Sequence, residues 1–111
     1  MQIDFQQERG QIQIRIQGHA GYAPAGEDIV CAATSMLGAL LEDTLLRENT
    51  RGGLRSLSVQ KSSGVLELDF SPTLSGWSRL SPVLEAVEHG FRLLADQYPS
   101  YVSLDHQLFP S

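Results

Sequence analysis

The sequence predicts an α+β domain in which a mainly antiparallel sheet carries two helices on one face, in the order β-β-α-β-β-α-β. Three observations carry that prediction. Gln11-Ile12-Gln13-Ile14-Arg15-Ile16-Gln17 alternates strictly between polar and apolar residues, the signature of a half-buried strand. Ile29, Ala33, Met36, Leu37, Leu40, Leu41, Thr44 and Leu45 recur at the three- and four-residue spacing of a helix. Between such runs lie clusters of Gly, Pro, Asn and Ser that break regular structure.

Each element follows from local chemistry. Ile3 and Phe5 alternate with polar neighbours, and Glu8-Arg9-Gly10 supplies the turn into the isoleucine strand, which stops at Gly18. The first helix is expected from about Glu27 to Glu48, and Asn49-Thr50-Arg51-Gly52-Gly53 ends it, because Asn and Gly tolerate left-handed backbone. Ala32, Ala33, Gly38 and Ala39 make part of that helix thin enough for close packing. Leu54 to Val59 and Val65 to Phe70 form a second strand pair around Lys61-Ser62-Ser63-Gly64. Ser81-Pro82 reads as the start of the second helix, serine as N-cap and proline at the first helical position. Val83, Val87, Phe91, Leu94 and Tyr98 give it one apolar stripe, and Pro99 ends it. Tyr101 to Leu104 reads as a short last strand, and Gln107 to Ser111 has no assignment.

The 111 residues suit one domain with one modest core, and no repeat or linker divides them. A net charge of −5 argues against nucleic acid as the primary partner, since phosphate binding needs a concentrated basic surface. The single cysteine excludes an intramolecular disulfide, and a reducing compartment keeps such a thiol reduced. MQIDFQQERG lacks the basic start and apolar run of a signal peptide. The apolar concentration from Ile29 to Leu46 is interrupted by Cys31, Thr34, Ser35, Glu42 and Asp43, short of the roughly 18 unbroken residues of a membrane span. The expectation is a soluble cytoplasmic protein with no membrane contact.

The chemistry concentrates in Gly18 to Ser35, GHAGYAPAGEDIVCAATS, which sets His19 at a strand end and Cys31 near the start of a helix. A histidine and a thiol brought together are the minimum for nucleophilic thiol catalysis. A cysteine thiol has an ordinary pKa of about 8.5, and a helix N-terminus or a nearby imidazolium favours the thiolate. Structural readings compete at every position. A lone cysteine on an apolar helix is commonly packing, and a histidine at a strand end is commonly a surface group. Asp28 suits a helix N-cap or a first-turn acid, Ser35 lies at i+4 from Cys31 but also suits a bond to its own backbone, and the glycines suit a tight turn. A closed metal set is not formed by His19, Cys31, Asp28 and Glu27, and His89 and His106 are remote in sequence. Neither a phosphate loop nor a resolving cysteine is present, so no metal or cofactor is expected.

Gly18-His19-Ala20-Gly21-Tyr22, then Gly26 through Ala33, then Ser35, resembles the ribosomal-processing cysteine protease family Prp. The resemblance is dense over the loop and first helix, and length and element order fit the whole chain. It implies a small cytoplasmic bacterial protease, generally homodimeric. Its substrate would be the N-terminal extension of a large-subunit ribosomal protein, the one numbered twenty-seven. It further implies Cys31 as nucleophile, His19 as general base, Asp28 and Ser35 in support, and Gly18, Gly21 and Gly26 as hinges of a loop that moves with substrate. A substrate with apolar and aromatic residues before the cut would need an apolar groove, expected near Tyr22 and Met36. The alternative is a catalytically silent ribosome-assembly or binding module with the same fold.

Overall fold

A computed structural model describes residues 1–18 and 25–110, the side chains of 25–28 excepted. Strands β1 (Gln2–Glu8) and β2 (Gln11–Gln17) form an antiparallel hairpin. Arg9 and Gly10 both take positive φ, 53° and 79°, the left-handed pair that a two-residue hairpin turn requires. Helix α1 (Ala25–Thr50) follows, then the antiparallel hairpin β3 (Leu54–Ser62) and β4 (Val65–Pro72), helix α2 (Leu74–Gln97) and strand β5 (Ser103–His106). The five strands make one mixed sheet in the order β3-β4-β2-β1-β5. Every pairing is antiparallel except β1 with β5, which is parallel. The α+β class and the element order are those expected.

Alternation decides which face of the sheet is covered. Ile12, Ile14 and Ile16 are buried while Gln13 and Arg15 between them are exposed. Ile3, Phe5, Leu68 and Phe70 join them from β1 and β4, and Phe5 meets Phe91 of α2 edge-on with ring centroids 6.0 Å apart. The helices meet the sheet through Val30, Leu41 and Leu45 of α1 and Leu80, Leu84, Val87 and Phe91 of α2. By length and composition α1 is apolar enough over Ile29–Thr50 to cross a membrane. Here one of its faces forms the core.

Four expectations are corrected. Helix α2 does not start at Ser81-Pro82: Thr73 is its N-cap, its hydroxyl accepting the Gly76 N–H at 3.0 Å, and Pro82 lies inside the helix. The serines and glycine of the first two turns are weak helix formers, but Gly76 packs where a Cβ would stand 1.9 Å from the Gly53 carbonyl oxygen, and Leu80 is buried. The stripe of α1 is also turned. Ile29, Met36 and Leu40 are exposed, and the core side runs Val30, Thr34, Leu41, Leu45, Glu48. Strand β3 runs on to Ser62, so the turn into β4 is two residues, and β5 begins at Ser103 rather than Tyr101.

Candidate active site

Cys31 is six residues beyond Ala25, in the second turn of α1. With the helix described from Ala25, the thiol sits past its first turn, where the helix dipole acts most strongly. Asp28 falls within the first turn, which excludes the N-cap role, and Gly26 belongs to the helix rather than to a loop. His19, Gly21 and Tyr22 lie outside the described residues, so the expected pairing of His19 with Cys31 does too.

Cys31 is half-buried and lines a cavity of about 360 Å³ between α1 and the end of the sheet. Along the helix the wall continues through Thr34, Ser35, Gly38, Ala39 and Glu42. Cys31, Ser35, Gly38 and Glu42 step by four, three and four residues, which keeps them on one face. Thr34 turns inward, its hydroxyl donating to the Val30 carbonyl at 2.6 Å, which satisfies it within the helix. Across the cavity stand Ile16, Gly18, Lys61, Ser62, Gly64, Val65 and Leu66, with Met1 at one side. Gly38 permits the close approach: a Cβ there would lie 3.2 Å from Leu66 Cδ2 and 3.4 Å from Ile16 Cδ1.

The rim is fixed by backbone. Gly18 donates its N–H to the Gly64 carbonyl, and Gly64 has a φ of +75°. At the other end Lys61 Nζ pairs with Glu42 Oε1 at 2.7 Å, bridging β3 to α1.

Of the residues singled out in the sequence, Cys31, Ser35 and Gly18 share this cavity. Met36 does not. It lies about 140° round the helix from Cys31 and is 70% exposed, and Tyr22, the other residue of the expected groove, lies outside the described residues. Ser35 is exposed and one turn from the thiol, so its hydroxyl can reach a bound molecule. Glu42, Lys61, Gly38 and Gly64 were not expected at the site, although Gly38 was expected to allow close packing and Lys61 and Gly64 to form the turn. The helical spacing from Cys31 points to the first, whereas the β residues enter only through tertiary structure. His106 pairs with Asp4 at 2.7 Å on β5, and β5 and β3 are opposite edges of the sheet. Among the described residues, no three His, Cys, Asp or Glu side chains converge as a metal set would.

Two solved structures resemble this fold. One is an essential ribosomal processing protease Prp from S. aureus in complex with a substrate peptide, with a TM-score of 0.68 at 15% identity, over 96% of this chain and 98% of that one. The other is the Streptococcus mutans protein SMU.848, with a TM-score of 0.64 at 25% identity, over 94% and 90% of the two chains. No curated protein matches significantly. The family model of the cysteine protease Prp matches residues 1–103, and the chain belongs to that family.

Proposed function

We propose that this chain is a cysteine endopeptidase that removes the N-terminal extension of a large-subunit ribosomal protein during ribosome maturation. The observation that carries the reading is Cys31 in the wall of a cavity long enough for several residues of peptide. Family membership supplies the class of chemistry, and the S. aureus relative was solved with a substrate peptide. A cysteine serving only as packing does not require a neighbouring cavity.

In this mechanism His19 takes the Cys31 proton, and the sulfur attacks the scissile carbonyl. Backbone N–H donors hold the resulting oxyanion. The carbon–nitrogen bond breaks as His19 returns the proton to the leaving amine. Water, deprotonated by His19, then hydrolyses the thioester and restores the thiol. Asp28 supports His19 or the helix start, and Ser35 lies one turn from the sulfur. The enzyme works as a cytoplasmic homodimer in this reading.

Incubation with the extended ribosomal protein tests it, with Cys31→Ala and His19→Ala as controls. Wild-type protein should release the extension, and both variants should leave it intact. If the wild type leaves it uncut while the S. aureus protease cuts it, the chain is the non-catalytic module. Iodoacetamide labelling across pH adds a second readout, since an activated thiol reacts at lower pH than ordinary cysteine.

A further inference from the structure

The apolar cavity carries charge at one end. Glu42 is on the same face of α1 as Cys31, about 20° round the helix and about 16 Å along its axis. Extended peptide advances about 3.3 Å per residue, so that distance corresponds to about five residues. Glu42 is held on a rigid helix and is 20% exposed, whereas its partner Lys61 is 61% exposed at the end of an edge strand. The two groups differ in how easily they move. The carboxylate stays at the wall, while the ammonium on its four-carbon stem can swing into solvent. A cationic side chain entering the cavity takes over the carboxylate as Lys61 leaves. An acidic one meets a fixed negative charge. The chain's net charge of −5 favours association with cationic over anionic peptides.

We propose that Glu42 and Lys61 form a charge-selective subsite at the far end of the Cys31 cavity. It takes a cationic side chain of an extended peptide about five residues from the bond that is cut. The proposal rests on the endopeptidase reading for its substrate and names which part of that substrate is selected. Lys61 acts as the resident counter-ion, keeping Glu42 neutralised until a substrate cation replaces it.

The test uses fluorescein-labelled peptides spanning the cleavage site of the extended ribosomal protein. Lysine, glutamine or glutamate stands at the fourth to sixth position from the cut, on either side. Binding is read by anisotropy on the Cys31→Ala protein, and kcat/KM on the wild type. Lysine peptides should bind about fivefold more tightly than glutamate peptides at one of these positions. E42Q should flatten the series, and the double variant E42K/K61E should reverse it. Urea midpoints of the variants establish that each is folded, and K61Q supplies a second probe. A lysine-to-glutamate ratio that is flat in the wild type, or unchanged in E42Q, overturns the subsite. Peptides that bind with the expected order but are never cut overturn the endopeptidase reading and leave the subsite standing. Peptides cut with dependence on Cys31 and no charge order do the opposite, and peptides neither bound nor cut overturn both.

Discussion

Gly18 donates its N–H to the carbonyl oxygen of Gly64 at 2.8 Å, and this bond joins the end of β2 to the β3–β4 turn at the rim of the Cys31 cavity. The approach is possible because position 64 has no Cβ. A methyl there would stand 2.2 Å from the Gly18 carbonyl oxygen, on a backbone with φ of +75°.

Gly64→Ala should therefore destabilise the protein by about 1–3 kcal/mol through left-handed strain and the clash at Gly18. Urea denaturation measures the first effect, and cleavage of the proposed substrate should fall with it as the rim opens. An unchanged urea midpoint would refute this account of the turn.

The turned face of α1 makes a paired prediction. Leu41→Ala opens the core and should cost about 2–5 kcal/mol. Met36→Gln, on the exposed side, should change stability by less than about 0.5 kcal/mol. Equal losses in the two variants would mean that Met36 is covered in solution.

Acid should weaken the corner between the helices. Glu48 accepts a hydrogen bond from Arg79 Nε at 2.7 Å, and this bond, then the charges of Arg79 and Arg51, hold its carboxyl below the ordinary value near 4.5 against the opposing effect of burial. A carboxyl with a lowered folded-state pKa contributes stability that is fully present above its unfolded value. That contribution is lost as pH falls through the folded value. Urea midpoints followed downward from about pH 5 should drop in the wild type and less steeply in Glu48→Gln.

Glu88 anchors the segment after β5. Its buried carboxylate accepts the N–H groups of Leu108 and Phe109 at 2.6 and 2.9 Å, and Phe109 stacks on Trp77 with centroids 6.2 Å apart. Glu88→Ala leaves those donors without their acceptor and should cost about 1–3 kcal/mol. Trp77 is the only tryptophan in the sequence, so its emission should shift to the red as Phe109 leaves. An unshifted spectrum would show that the segment is held by something else.

Much of this molecule is legible in its sequence. The alternating isoleucines at 12, 14 and 16 face the core because a strand has a period of two, and no other reading suits them. Helix α1 is apolar nearly all round, so periodicity finds the helix without finding its buried side. The start of α2 was hidden by Pro82, a strong initiation signal that here sits in the third turn. At the site, Cys31 and Ser35 share a face because of their spacing. Lys61 and Gly64 reach the cavity only when β3 and β4 fold beneath the helix, a long-range event that leaves no local trace.

Helix α1 carries three interleaved lists. Val30, Leu41 and Leu45 seal the sheet, Cys31, Ser35, Gly38 and Glu42 line the cavity, and Ile29, Met36 and Leu40 face outward. Each list repeats with the turn of the helix but is offset from the others, so neighbouring residues answer to different demands. A saturation scan across Ile29 to Glu48 should resolve three superposed rhythms: one in folding yield, one in peptide turnover, and one audible only when an outside surface leans on the helix.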